Sequence, residues 1–186
     1  NLKVDGIHNQ MSKSELEASL DGFSLGEKYL VVTYHPVTLE NSTASEQIQN
    51  LLWALDKYLD YKVIFTLPNS DTDGRIIIQI LNEYVAKNPG RAIAYPSLGI
   101  KRYLSALKYA KAVVGNSSSG IIEVPSFGIP TLNIGDRQKG RLAADSVVNC
   151  GPQKEEILEG LKKVLYTEYK NIHNPYEGKN TTYDIL

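Results

Sequence analysis

Ala112-Val113-Val114-Gly115-Asn116-Ser117-Ser118-Ser119-Gly120 sets a short β-branched run against a loop of small polar residues that opens a helix. A strand that passes through a polar turn into a helix is the repeating unit of a parallel sheet crossed by helices. The same unit recurs on both sides of this stretch. Strands are predicted over residues 29–33, 63–67, 92–95 and 131–134, with a sixth over 146–149, and helices over 42–58, 74–87, 100–111 and 153–165. In the first of these helices Ile48, Leu51, Leu52, Leu55 and Leu59 share one face. That spacing follows the 3.6-residue period and leaves Trp53 as a flank-packing residue. Upstream, Ser12 followed by Glu15 forms a capping box that opens a short helix ending near Gly22. Residues 1–28 therefore read as a lead-in from something upstream, and residues 29–186 as the α/β domain. The polar, Tyr-rich end of the chain, with its Pro-Tyr-Glu-Gly turn, is expected to pack on a surface.

Composition narrows the class. The chain has 186 residues, of which 42% are apolar and 22% charged, with 20 Lys+Arg against 21 Asp+Glu. Such a chain buries about 70% of its unfolded surface and holds a core without staples. Balanced charge removes the clustered basic footprint that nucleic acid requires. Cys150 is the single cysteine, which excludes an intrachain disulfide and a CxxC metal knuckle and suits a reducing cytoplasm. No apolar run reaches the roughly 18 residues of a membrane span, and the first residues do not open a signal peptide. A soluble, cytoplasmic protein without membrane attachment is expected.

In a parallel sheet, ligands meet the loops that follow the carboxyl ends of the strands. Four such loops are polar here: Thr33-Tyr34-His35-Pro36-Val37-Thr38, Pro68-Asn69-Ser70-Asp71-Thr72-Asp73-Gly74, Gly115-Asn116-Ser117-Ser118-Ser119-Gly120, and Gly135-Asp136-Arg137-Gln138-Lys139-Gly140-Arg141. They are expected to converge on one edge of the sheet. Hydroxyls and backbone N–H groups at a helix start offer an anion site with a favourable dipole, and phosphate is the obvious guest. The competing use of Ser117 or Ser118 is a simple helix cap. Glu123 follows a turn later, too close to a phosphate for comfort and better suited to ribose hydroxyls. Arg137 and Arg141 are placed to reach a diphosphate, with plain solvation as the alternative. His35, held by Pro36, is a candidate donor or proton carrier. Asn69, Asp71 and Asp73 resemble a calcium loop in composition but lack its spacing, so a turn and cap is the expected use. Walker, hydrolase-elbow, dinucleotide and zinc-peptidase motifs are absent.

Taken together, Val32-Thr33-Tyr34-His35-Pro36-Val37-Thr38, Pro68-Asn69-Ser70-Asp71, the block from Gly115 through Glu123, the run Phe127-Gly128-Ile129-Pro130 on to Arg141, and Asn174-Pro175-Tyr176 resemble the hydrolysing UDP-N-acetylglucosamine 2-epimerases. Asn-Ser-Ser-Ser-Gly and Arg-Gln-Lys-Gly-Arg stand where non-hydrolysing epimerases usually carry Asp-Ser-Gly-Gly and Thr-Glu-Arg-Pro. The resemblance implies a Rossmann-like parallel sheet with helices on both faces, the C-terminal half of a two-domain glycosyltransferase-B-type fold. It also implies that the N-terminal domain of the same protein, with the acidic residues credited with removing the C2 proton, is missing from this chain. By the same resemblance Ser117 and Ser118 bind phosphate, Glu123 binds ribose, Asn69 and Arg137 line the cleft, and His35 lies near the diphosphate and sugar. Arg141 joins them as a UDP-binding candidate. The implied partners are UDP and a UDP-N-acetylhexosamine, with no cofactor and no metal, and homo-oligomerisation is left open. The implied reaction converts UDP-N-acetylglucosamine and water to N-acetylmannosamine and UDP, in sialic-acid-type or related nonulosonic-acid biosynthesis. A glycosyltransferase donor domain and a non-catalytic UDP-sensing module remain the alternatives.

Overall fold

The computed structural model describes residues 10–37, 41–70 and 72–177. Thr38, Asp71, residues 1–9 of the lead-in and the tail beyond residue 177 lie outside the described residues, and the Asp73 side chain does too.

The elements run α1 (Lys13–Ser19), β1 (Tyr29–Thr33), α2 (Asn41–Leu55), β2 (Lys62–Thr66), α3 (Thr72–Lys87), β3 (Ala92–Tyr95), α4 (Gly99–Tyr109), β4 (Ala112–Gly115), α5 (Ser119–Ile122), a 3₁₀ turn (Val124–Phe127), β5 (Thr131–Ile134), β6 (Val147–Cys150) and α6 (Lys154–Tyr166). All six strands are parallel, in the order β3-β2-β1-β4-β5-β6. This is the Rossmann-like α/β fold expected from the strand–loop–helix repeats. Helices cover both faces, so the central strands read as continuous apolar runs and not as alternating ones. On β1, Leu30 and Val32 join Ile48, Leu51, Phe65, Ile77 and Leu161 on one face. Tyr29 and Val31 join Leu16, Leu20, Leu104 and Val124 on the other. The lead-in helix α1 is thus part of the core: Leu16, Leu20 and Leu25 are fully buried, and its Ser12–Glu15 capping box is formed in both directions.

Element ends differ from expectation by a few residues, and one difference changes a packing assignment. Helix α2 stops at Leu55, where Lys57 N–H donates to the Ala54 carbonyl and Tyr58 N–H to the Leu55 carbonyl. These tighter bonds break the helical period, so Leu59 is 67% exposed and does not extend the apolar face. Trp53 flanks the core as predicted, with the ammonium groups of Lys57 and Lys154 over its ring. The β2 and β6 strands are each shifted by one residue from their predicted spans.

From β1 the chain proceeds outward to β2 and β3, then returns to β4 beside β1 and continues the other way. The β1/β4 boundary is therefore the switch point at which open α/β sheets bind ligands. Gly115 makes it compact. Its φ is +144°, and a Cβ there would stand 1.8 Å from the Thr33 carbonyl oxygen.

Candidate nucleotide-binding site

Asn116, directly after Gly115, is completely buried and ties three loops together. Its side-chain oxygen accepts from the His35 backbone N–H (2.8 Å), and its side-chain nitrogen donates to the His35 carbonyl (2.8 Å). Its own carbonyl accepts from Arg137 Nη1 (3.3 Å) and Gln138 Nε2 (3.1 Å). The loops after β1, β4 and β5 are thus held in one arrangement by a single asparagine. Sequence reading quoted Asn116 inside its motif without assigning it this work, because its partners lie 81 and more than 20 positions away.

Beside this junction lies a cleft of about 350 Å³, bounded by the ends of β1, β2 and β4 and by the start of α4. His35, Ser117 and Glu123 line it together, and Thr33, Tyr103 and Ser119 join them. The Glu123 carboxylate accepts from the Ser119 hydroxyl (3.1 Å), which is itself hydrogen-bonded to the Tyr103 hydroxyl. Burial pushes the Tyr103 phenol up to about 12, so the phenol keeps its proton at neutral pH. Tyr103 was not singled out from sequence, since only tertiary packing brings it to Ser119, and Ser119, one turn before Glu123, was quoted only inside its motif.

The serine run departs from expectation in its helix. α5 has a single turn and leads straight into the 3₁₀ turn, so it carries little of a helix dipole. Ser118 makes no side-chain cap bond. Ser117 instead accepts from the Ser119 N–H at 3.3 Å, a local serine turn. The run offers hydroxyls to the cleft and not a strong helix terminus. From below, Asn174 Nδ2 donates to the Ile122 carbonyl (2.8 Å) and Ser126 Oγ (2.7 Å), which clamps the α5 segment to the C-terminal stretch.

The remaining candidates are spread more widely. His35 is half-buried, and burial, followed by the Arg137 charge, holds its imidazole below the usual histidine range. Arg137 is exposed at the junction and faces a shallower groove with Tyr34 and Pro36. Asn69 is exposed after β2. Arg141 lines a separate cavity of about 520 Å³ beyond the ends of β5 and β6, so the two arginines do not stand side by side. No group of three or more metal-ligating side chains occurs among the described residues. No helix among them is long and apolar enough to cross a membrane.

A Campylobacter jejuni GDP/UDP-N,N'-diacetylbacillosamine 2-epimerase (hydrolyzing) is 43% identical over 162 residues, 87% of this chain and 41% of that protein. The Escherichia coli polysialic acid biosynthesis protein P7 is 35% identical over 190 residues, 97% of this chain and 48% of that protein. The chain spans less than half the length of these curated relatives. Among solved structures, the Methanocaldococcus jannaschii UDP-GlcNAc 2-epimerase in complex with UDP-GlcNAc and UDP overlays with a TM-score of 0.71 at 16% identity, across 95% of this chain and 48% of that one. The UDP-N-acetylglucosamine 2-epimerase family model matches residues 1–186. Strand order, switch-point loops and sequence agree, and the chain belongs to the UDP-N-acetylglucosamine 2-epimerase family.

Proposed function

We propose that this chain is the UDP-binding C-terminal half, residues 29–186 with the lead-in 1–28, of a hydrolysing UDP-N-acetylhexosamine 2-epimerase. The observation that carries the reading is the cleft at the β1/β4 switch point, where His35, Ser117 and the Tyr103–Ser119–Glu123 chain face one space. Glu123 accepts from the ribose hydroxyls, Ser117 and Ser118 donate to phosphate, and Asn69 meets the nucleotide from the exposed loop after β2. Arg137 reaches the diphosphate from the junction, and Arg141 stands on its far side. The printed names of the relatives support a nucleotide-linked amino sugar as substrate and sialic-acid-type or related biosynthesis as the setting.

In the proposed reaction a base removes the C2 proton as the C1–O bond to the diphosphate breaks. UDP leaves with the bonding pair, and a C1–C2 double bond remains. Water then adds its oxygen to C1 and a proton to C2, giving N-acetylmannosamine. The demand on this half is to receive charge on the departing diphosphate. Donors fixed in place before the reaction meet that demand without reorganisation. His35 is suited to it, because a neutral imidazole still offers one N–H. The C2 base belongs to the other half of the protein.

The test is calorimetry of this chain with UDP, with Glu123→Gln and with 2′,3′-dideoxy-UDP. UDP binds, the variant weakens it, and the loss shrinks for the dideoxy ligand because the carboxylate's partners are then gone. A variant that melts early and loses both ligands equally would reduce Glu123 to a structural residue. Sugar transfer to an acceptor by the full-length protein would instead favour a glycosyltransferase.

A further inference from the structure

Strand β1 ends at Thr33, yet the side chains beyond it keep the alternation of a strand. Thr33 and His35 line the switch-point cleft. Tyr34 between them turns to the groove on the other side and donates its hydroxyl to Gln47 Oε1 on α2 (2.6 Å). Something must hold that phase once the strand has ended. The backbone pairing of β1 with β4 closes where the Asn116 N–H donates to the Thr33 carbonyl (3.2 Å). Pro36 confines His35 to extended backbone but has no N–H with which to carry a ladder on. The Asn116 side chain supplies the next rung. A primary amide carries an acceptor and a donor on one planar unit, as a peptide group does. Its oxygen takes the His35 N–H and its nitrogen gives to the His35 carbonyl, so a single side chain reads both backbone groups of one residue.

Other side chains of this shape fail. Aspartate offers no donor to the His35 carbonyl, and leucine offers neither a donor nor an acceptor. Asn116 is completely buried, so water does not reach it as a substitute partner. No hydrogen bond to the His35 ring occurs among the described residues, and the ring therefore takes its place from the backbone that carries it. The other contacts of Asn116 run through a different group: its backbone carbonyl accepts from Arg137 and Gln138. A substitution at residue 116 thus cuts the His35 arm and leaves an acceptor for the Arg137 arm.

We infer that Asn116 is a positioning residue whose side-chain amide extends the β1/β4 pairing by one residue and so aims the His35 imidazole into the cleft. This rests on the UDP-binding reading above, in which His35 meets charge on the departing diphosphate. The test is a double-mutant cycle on the full-length protein, with Asn116→Leu, His35→Gln and both together, and UDP-N-acetylglucosamine as substrate. Asn116→Leu is expected to lower kcat about tenfold beside His35 and less than about twofold in the His35→Gln background, with KM changed by less than about threefold in each. Equal losses in the two backgrounds, or none in either, would overturn the inference, since a merely structural loss does not depend on the ring at residue 35. Calorimetry of this chain checks the UDP reading separately. A wild-type chain that binds no UDP would overturn that reading, whereas UDP binding with an additive cycle leaves it standing and overturns only the role of Asn116. Because Asn116→Leu strips two backbone groups of their partners and folding can suffer, NMR of the wild-type chain gives a second readout. The side-chain amide protons of Asn116 are expected to exchange with solvent at least about a hundredfold more slowly than those of the exposed Asn69. Exchange at the Asn69 rate would show that the amide does not hold His35, and would overturn the inference.

Discussion

His35 is positioned through its backbone, by paired hydrogen bonds to the Asn116 amide, while its ring faces the cleft. Burial and the Arg137 charge both oppose protonation, so the folded protein binds a proton here less readily than the unfolded chain. The stability that follows is fully present above the unfolded histidine value of about 6.5 and is lost as pH falls below it, with no further loss once the folded group also titrates. His35→Gln is expected to flatten the dependence of Tm on pH between about 7 and 5. An unchanged slope would trace it to other groups. Arg137 is the residue whose charge the diphosphate should feel. Arg137→Ala is expected to weaken UDP more than uridine, by roughly 1.5 to 3 kcal/mol, the worth of a charge-assisted hydrogen bond. Calorimetry with both ligands decides it, and equal losses would move Arg137 away from the phosphates. The loop motif made His35 and Arg137 readable as candidates. Their common junction was not readable, because it is made by the amide and carbonyl of Asn116.

At the scale of elements, the end of α2 shows how a charged side chain can replace a cap. Arg91, just before β3, donates from Nη2 to the Leu55 carbonyl (2.7 Å) and the Tyr58 carbonyl (3.2 Å), and from Nε to the Tyr61 carbonyl (3.1 Å). These carbonyls end the helix and the turn after it, where backbone acceptors otherwise lack partners. Asp56 lies 3.5 Å from the same guanidinium, and the Tyr84 hydroxyl bonds to both. Arg91→Ala is expected to destabilise the fold by about 2 to 3 kcal/mol, within the range for hydrogen bonds to charged groups and for orphaned buried acceptors. Denaturant unfolding measures the loss. UDP affinity should not change, because Arg91 lies at the opposite ends of the strands from the cleft. Periodicity located α2 correctly and overran its end, since apolar spacing at Leu59 continued after the backbone had turned away.

For the whole molecule, the division of labour follows from where the acid and base groups stand. Proton abstraction at C2 needs a base within hydrogen-bond reach of that carbon. Here His35 and Glu123 line the switch-point cleft, which the proposed reading gives to the diphosphate and the ribose. This chain alone is expected to release neither UDP nor N-acetylmannosamine from UDP-N-acetylglucosamine, whereas the full-length protein releases both. Coupled assays of the two side by side test this. Turnover by the chain alone would place the base in this half.

Sequence by itself determined the alternation of strands and helices, because burial on both faces of a parallel sheet demands continuous apolar runs such as Tyr29–Thr33. It also determined the loop chemistry at His35 and Ser117, because those residues lie just past strand ends wherever the strands pair, and at Glu123, one short helix further on. Tertiary structure alone decided which loops share a space. Strand order set β4 beside β1 and sent β5 and β6 the other way, which joined Tyr103 to Ser119 and separated Arg141 from Arg137. It also left Gln138 buried with one satisfied nitrogen and one unsatisfied oxygen. Local pattern records what each residue can offer a partner. Only the packed sheet brings the partner within 3 Å.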